Sequence, residues 1–238
     1  MTAPWINDLV RPGHQLVRAG DGLLSALGPG ERDSPYDRHA ALYDHVVGNG
    51  LYNRLLWGAS PASYAAFAAT AVAGGQGPLL DVGCGSAVFT AATYRTAGRP
   101  LVLVDRSLGM LARAAQRLGE HHPAPVALVQ ADLFDLPFLP GRFTTVACHG
   151  LLHLFDDLAA VLRVLGGQVA AGGWLHVTSL VAETAVGSRG LGLLHRTGEA
   201  AVPRREQDLV TAARAALDGP VRSRRKGSMV FLSAGPFT

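Results

Sequence analysis

The sequence predicts an α/β fold built on a mostly parallel, Rossmann-like sheet. Short and almost continuous apolar runs alternate with segments of helical periodicity, as in strands that are buried on both faces of a parallel sheet. Two final runs flank Gly227-Ser228, which predicts an antiparallel hairpin at the C-terminal edge. With five runs before them, we expect seven strands with helices on both faces.

The predicted elements follow one another without a low-complexity linker. The first five strands are predicted at residues 79–82, 100–105, 126–130, 143–148 and 174–180. The predicted helices begin at Ser60-Pro61, Ala87, Ser107, Asp156-Asp157 and Glu206, mostly at an N-cap residue or a first-turn acid. The glycine-interrupted stretch 187–198 is predicted to be an insert between elements of the sheet.

The N-terminal third differs in pattern from the rest. Residues 1–34 are rich in glycine, proline and charge, which predicts a loosely packed arm with a helix or two. Residues 36–75 are helical in pattern, and one face of the first helix carries Tyr36, Ala40, Tyr43 and Val47. We therefore predict an N-terminal arm and helical cap over residues 1–75 and a core over residues 76–238.

Composition and charge indicate which kinds of partner the protein is expected to lack. A chain of 238 residues with 48% apolar and 16% charged residues has enough apolar sequence for an ordered core. A net charge of +3 is too weak to indicate nucleic acid. The two cysteines show no disulfide framework or metal spacing, and no signal or membrane-spanning pattern is present. We expect a cytoplasmic protein with no metal, no nucleic-acid partner and no membrane span.

One glycine-rich turn, Pro78–Thr90, carries the strongest functional signal. It joins the first predicted core strand to the next helix, whose free N–H groups would face a ligand. Gly83 and Gly85 allow the backbone to turn sharply and to approach that ligand closely. Asp81 would repel a pyrophosphate but would attract an ammonium or sulfonium group, and S-adenosylmethionine carries both. A dinucleotide fingerprint would also need its third glycine at Val88.

The segment D-V-G-C-G-S, residues 81–86, resembles motif I of class I S-adenosylmethionine-dependent methyltransferases, usually (D/E)-x-G-x-G-x-G. Ala87 replaces the third glycine of that motif, and we expect this mild change to be tolerated near the methionine end of the cofactor. From about Tyr36 onward the chain is similar to the small-molecule group of ubiquinone and menaquinone biosynthesis enzymes. The resemblance implies S-adenosyl-L-methionine as cofactor and S-adenosyl-L-homocysteine as product.

The candidate site residues fall where the predicted parallel strands end, which is where open α/β sheets bind ligands. The resemblance implies cofactor contacts by the turn Gly83, Cys84 and Gly85, beside Asp81. Asp105 follows Asp81 by 24 residues and is placed to bind a ribose diol. The alternative for Asp105 is an acid that only stabilises the start of the next helix.

The adenine part of the cofactor has four candidate contacts. In related enzymes, residues after the ribose-binding acid flank the adenine, which implies this role for Arg106 and Met110. Met110 alone could equally be a core residue. The resemblance also implies that Asp132 and the backbone of Leu133 bind the adenine edge. The alternative is that Asp132 only forms an Asx-turn.

Chemistry beyond cofactor binding depends on His149 and two tyrosines. His149 follows the fourth core strand, where the family contacts the methionyl group, and its imidazole could take a proton from an acceptor hydroxyl. It could also be a histidine that only packs, the role we predict for His153. Tyr36 and Tyr43 correspond to an aromatic lid in related enzymes, or to ordinary helix packing.

These observations predict an enzyme that transfers a methyl group from S-adenosylmethionine to a small-molecule acceptor. The apolar cap and insert favour a lipid-like or polyketide-like acceptor. Two alternatives stay open at this stage: an NAD-binding Rossmann oxidoreductase, and a methyltransferase-fold protein that binds the cofactor without turnover. Neither the acceptor nor the oligomeric state is indicated by the sequence.

Overall fold

A computed structural model describes residues 4–32 and 57–238, and its mixed α/β architecture confirms the predicted fold class. The strands are β1 (Val17–Gly20), β2 (Leu23–Ser25), β3 (Leu79–Val82), β4 (Leu101–Asp105), β5 (Val126–Gln130), β6 (Phe143–His149), β7 (Val169–Leu180), β8 (Val221–Lys226) and β9 (Met229–Ala234). The helices are α1 (Pro4–Asn7), α2 (Pro61–Ala73), α3 (Ala91–Tyr94), α4 (Leu108–Leu118), α5 (Leu158–Gly167), α6 (Ala185–Arg196) and α7 (Glu206–Ala216).

The strands of the described residues form one sheet in the order β1-β2-β5-β4-β3-β6-β7-β9-β8. The neighbours from β2 to β7 are parallel, whereas β1 and the β8–β9 hairpin are antiparallel additions. Strand order reverses at β3, since β4 and β5 lie on one side of it and β6 and β7 on the other. This reversal places the ligand-binding crevice of such a fold at the carboxyl end of β3.

Helices cover both faces of the sheet, as the sequence predicted. The α2, α3 and α4 helices pack on one face around Leu79, Leu101 and Leu103. The α5 and α7 helices cover the other face with a larger apolar cluster. A third cluster, rich in aromatic side chains, joins α2, α6 and β9. In residues 4–32 and 57–238, no helix has the length and apolar character needed to cross a membrane.

The described sheet has nine strands instead of the predicted seven, because residues 17–25 add a hairpin to it. In register, β2 pairs Leu23 with Leu128, and Ser25 with Gln130. The expectation of a loosely packed arm was wrong here, since Leu23 is buried and Ile6 is fully buried. A strand of three residues, such as β2, is too short to show a periodic pattern, so the sequence did not predict it.

Three other elements differ from their predicted bounds. The helix predicted from Ala87 is regular only over α3, because Ala87 takes a left-handed conformation. The β7 strand begins at Val169, before the Gly172-Gly173 pair that hid its first half. Most of the predicted insert belongs to α6, which begins two residues earlier and is capped by the side chain of Thr184 accepting from the Gly187 N–H.

Candidate functional site

The turn that follows β3 is fixed by the neighbouring strand. The N–H groups of Gly83 and Cys84 both donate to the carbonyl of Val104, at 2.8 and 3.0 Å. Gly83 and Gly85 have φ angles of 70° and 53°, which favour glycine. A Cβ at Gly83 would lie 2.7 Å from a methyl carbon of Leu151, whereas a Cβ at Gly85 would meet no atom within 4 Å. Gly83 is therefore favoured mainly by its left-handed backbone, since the Leu151 side chain could move, and Gly85 borders open space.

Ala87 adopts the left-handed backbone conformation that favours glycine. Its φ angle is 53°, and only 3% of its surface is exposed. Its methyl group belongs to the apolar cluster that contains Leu79, Ala91 and Tyr94. The core beneath the turn therefore accommodates the extra carbon.

Asp81 is almost completely buried at the carboxyl end of β3, with 1% of its surface exposed. One carboxylate oxygen, Oδ2, accepts a hydrogen bond of 3.0 Å from the hydroxyl of Tyr94. The other oxygen, Oδ1, is buried and has no hydrogen-bond partner among the described residues. Burial raises the pKa of Asp81 to about 7; the Tyr94 hydrogen bond opposes this rise, and the charge of Asp105 adds to it. A cation beside Oδ1 would keep the carboxylate ionised.

Asp105, at the end of β4, connects the turn to the helix that follows. Its Oδ2 accepts from the N–H of Gly85 at 2.8 Å, and its Oδ1 accepts from the N–H of Ser107 at 2.9 Å. The Ser107 hydroxyl in turn accepts from the N–H of Met110 and caps α4. These two bonds do not exclude the predicted ribose contact, because each carboxylate oxygen can accept more than one hydrogen bond.

Of the four residues predicted to contact adenine, Arg106, Asp132 and Leu133 directly follow the neighbouring strands β4 and β5, and Met110 lies in the first turn of α4. Asp132 forms the predicted Asx-turn, since its Oδ1 accepts from the N–H of Phe134 at 2.8 Å. Its Oδ2 lies 3.8 Å from Nε of Arg106. Met110 is 4% exposed and Leu133 packs at the margin of the larger core cluster. The structure thus brings the polar candidates Asp105, Arg106 and Asp132 to one edge of the sheet.

His149 ends β6, on the other side of β3. Its ring packs edge-on against Phe67 of α2, with 5.9 Å between ring centroids. Both ring nitrogens are buried and have no hydrogen-bond partner within the described part of the chain. Burial, with a smaller contribution from the nearby His176, lowers the pKa of His149 to about 4. The imidazole is therefore neutral at pH 7.

His153 lies in the short helical turn Leu152–Leu154 that follows β6. It lines a small cleft with Leu158 of α5, Leu191 of α6 and Leu209 of α7. Burial lowers the pKa of His153 to about 4. Its surroundings are mainly apolar, in keeping with the packing role predicted for it.

Sequence reasoning missed the side chains that support the candidates. Tyr94 and His176 gave no signal, because a buried tyrosine in a short helix and a histidine inside a strand resemble ordinary core residues. Gln130, at the end of β5, was likewise overlooked. Tyr36 and Tyr43, predicted to form a lid, lie outside the described residues.

A comparison with known protein families identifies the type of domain that carries this candidate site. Residues 79–173, from β3 to the middle of β7, match the family described as a methyltransferase domain. This segment is a class I S-adenosylmethionine-dependent methyltransferase domain. The predicted family is thereby confirmed, and the match includes the turn at Gly83 and every candidate from Asp81 to His149.

Curated relatives of the methyltransferase domain cover parts of the chain. A malonyl-[acyl-carrier protein] O-methyltransferase of Legionella pneumophila is 29% identical over 163 residues, 65% of this chain and 51% of that protein. An uncharacterized methyltransferase of Mycobacterium bovis is 34% identical over 104 residues, 43% of this chain and 50% of that protein. The chain thus spans about half the length of these two relatives.

Solved structures extend the similarity of fold to most of the chain. A phosphoethanolamine N-methyltransferase 2 of Haemonchus contortus, in complex with S-adenosyl-L-methionine, superposes with a TM-score of 0.64. The sequence identity is 14%, and the superposition covers 85% of this chain and 57% of that one. The fold therefore continues on both sides of the matched domain.

The residues of the site fit S-adenosylmethionine in two respects. The unpartnered Oδ1 of Asp81 can accept from an ammonium group, and the open space at Gly85 leaves room for a ligand against the backbone. Both features lie at the point where strand order reverses.

Proposed function

We propose that this chain transfers a methyl group from S-adenosylmethionine to a small-molecule acceptor and releases S-adenosylhomocysteine. The observation that carries the proposal is the buried Oδ1 of Asp81, which lacks a partner among the described residues at the turn of a methyltransferase domain. Leaving a buried acceptor unpaired is costly, so its presence favours a ligand that supplies the missing donor.

Each candidate residue is proposed to bind one part of the cofactor. Asp81 accepts from the amino group, and the backbone of Gly83, Cys84 and Gly85 lies along the methionine part. Asp105 accepts from the ribose diol. Asp132 and Leu133 bind the adenine edge, and Arg106 and Met110 flank its ring. Support comes from the location of these residues at the ends of β3, β4 and β5, or, for Met110, in the first turn of α4.

When bound, S-adenosylmethionine supplies an electrophilic methyl group on a sulfonium. The chain then has to align the acceptor in line with that bond and exclude water. His149 is proposed as the catalytic residue that takes the acceptor proton, because its neutral imidazole has two unpaired ring nitrogens. Its contact with Phe67 places it beside the aromatic cluster of Trp57, Tyr64 and Phe231, which favours an apolar acceptor.

The site of action is proposed to be the cytoplasm. Cys84 and Cys148 are both free thiols, the state that a reducing compartment maintains.

Ligand-dependent thermal stability tests the proposal. S-adenosylhomocysteine at about 100 times its Kd should stabilise the fold by about 2.7 kcal/mol, a rise in Tm of several degrees. NAD at the same concentration should leave Tm unchanged, and a larger shift with NAD would contradict the methyltransferase proposal. Transfer of a radiolabelled methyl group into small molecules of a host extract then separates an enzyme from a protein that only binds the cofactor.

A further inference from the structure

Gln130 connects three separate segments of the chain at the edge of the methyltransferase domain. Its side chain is fully buried at the end of β5. The amide nitrogen Nε2 donates to the carbonyl of Arg32 at 2.7 Å and to the carbonyl of Arg106 at 3.0 Å. The amide oxygen Oε1 accepts from the hydroxyl of Ser25 at 2.8 Å. Two carbonyl partners require an N–H donor, so the orientation of this amide is determined by its surroundings.

The hydrogen bond from Gln130 to the Arg106 carbonyl restrains the peptide group that contacts Asp105. The carbonyl of Arg106 and the N–H of Ser107 belong to one planar peptide group. Gln130 holds this group by its oxygen, while its N–H donates to Oδ1 of Asp105 at 2.9 Å. Rotation of the peptide would therefore break both bonds. Asp105 and Gln130 are also paired in register across β4 and β5, which adds rigidity at the same position.

The hairpin β1–β2 contributes to this arrangement through Ser25. Ser25 is fully buried and pairs in register with Gln130. The N–H of the next residue, Ala26, donates to the backbone carbonyl of Gln130 at 2.8 Å. The hairpin lies outside residues 79–173, the part matched by the family. An element added to the domain thus buries and bonds the side chain that holds the Asp105 loop.

We infer that Gln130 is a positioning residue that fixes Asp105 for the ribose diol, and that Ser25 of the added hairpin holds Gln130 for this task. The inference rests on the proposed function, since it assigns the diol to Asp105. It identifies a role for residues 17–25 in discriminating ligands by their ribose hydroxyls. A purely structural role for Gln130 would lower the stability of the fold without changing that discrimination.

The test is the ratio of two dissociation constants measured by calorimetry: that of the 2′,3′-dideoxy analogue of S-adenosylhomocysteine over that of S-adenosylhomocysteine. In the wild type the ratio should be about 10 or more, because two bonds to a carboxylate are lost. Gln130→Met, which keeps the volume but removes all three bonds, should reduce the ratio to about 3 or less. Ser25→Ala should reduce it less and serves if Gln130→Met fails to fold.

Ser233→Ala is the matched control. Ser233 also makes a side-chain bond inside the sheet, 2.9 Å to Nδ1 of His176, but it lies on β9, away from Asp105. Its ratio should equal that of the wild type. A ratio that stays near 10 in both the Gln130 and Ser25 variants, with Tm lowered, would overturn the inference. Failure of the wild type to bind S-adenosylhomocysteine would instead overturn the proposed function itself.

Discussion

The hydroxyl of Tyr94 donates to Oδ2 of Asp81 at 3.0 Å, and this bond opposes the effect of burial on the carboxylate. Tyr94 itself is fully buried. With this bond in place, the pKa of Asp81 is still raised to about 7. The charge of the predicted cofactor-binding acid therefore changes within the physiological range of pH.

Binding of S-adenosylhomocysteine should depend on pH through Asp81. The ligand-free carboxylate has a pKa of about 7, and a bound ammonium group lowers it, so binding releases a proton below that pH. The association constant should rise about tenfold between about pH 5.5 and pH 6.5 and level off above about pH 7.5. His149 and His176 do not contribute in this range, because their pKa values are about 4. Calorimetry in buffers of different ionisation enthalpy measures the proton release.

Two variants check the assignment to Asp81. Asp81→Asn should weaken binding by about 1.5–3 kcal/mol at pH 7.5 and abolish the pH dependence. Tyr94→Phe should move the midpoint to higher pH, because the bond that lowers the pKa of Asp81 is gone. If the pH dependence persists in Asp81→Asn, another group carries it.

His149→Ala should lower kcat by about 10²-fold or more if the imidazole takes the acceptor proton. Binding of S-adenosylhomocysteine should stay nearly unchanged. At saturating S-adenosylmethionine, where the effect of Asp81 on binding no longer limits the rate, kcat of the wild type should fall near pH 4. An ordinary histidine would make it fall at about pH 6 to 7. The reason for the difference is burial, which disfavours the imidazolium form.

His153→Ala provides the comparison for His149. It removes a second buried imidazole with a pKa of about 4 from the same loop, but one that lies in the separate cleft. Its kcat should stay within about threefold of the wild type, less than about 1 kcal/mol of barrier. An equally small effect of His149→Ala would mean that alignment of the acceptor suffices.

Ala87→Gly should change the free energy of unfolding by less than about 1 kcal/mol. Glycine relieves about 1–2 kcal/mol of left-handed backbone strain but loses about 0.8 kcal/mol of methyl burial and about 0.5–1 kcal/mol of chain entropy. Ala87→Val should cost more than about 2 kcal/mol, because a branched side chain is strained at this φ angle of 53° and overfills the cluster. Urea denaturation compares the two, and a large gain with glycine would contradict this balance.

Arg99 stabilises the end of the sheet opposite the site. Only 3% of its surface is exposed, and its guanidinium donates to the carbonyls of Ala71, Val72 and Gly77 and to the hydroxyls of Thr144 and Thr145. Burial lowers the pKa of Arg99 only to about 10, so it stays charged. Two of its acceptors are carbonyls in the last turn of α2, where a cation is favoured.

Arg99→Met should therefore destabilise the fold by at least about 3 kcal/mol, since several buried acceptors lose their donor together. Arg99→Lys should recover part of this loss, because a lysine has only three donors. Arg95→Met, at an exposed arginine four residues earlier, should stay within about 0.5 kcal/mol of the wild type. Denaturation midpoints of all three variants test the comparison, and equal losses at Arg99 and Arg95 would refute it.

Prediction from the sequence succeeded where the signal was local. The apolar runs of β3 to β6, the cap at Ser107 and the hairpin about Gly227 all depend on neighbouring residues, and each was placed within a few positions. The β1–β2 hairpin was missed because its partner, β5, lies about 100 residues further along the chain. Three residues carry too little pattern to reveal such a pairing.

By itself, the sequence determined the methyltransferase family and the chemical types at the sheet edge: a carboxylate before the glycine turn, a second after β4 and a third after β5. Only the tertiary structure decided how these groups behave. Burial, opposed by the Tyr94 hydrogen bond, sets the ionisation of Asp81, and burial keeps His149 neutral. Gln130 holds the peptide beside Asp105. These properties depend on desolvation and on donors from distant segments, and neither is encoded in the spacing of residues along the chain.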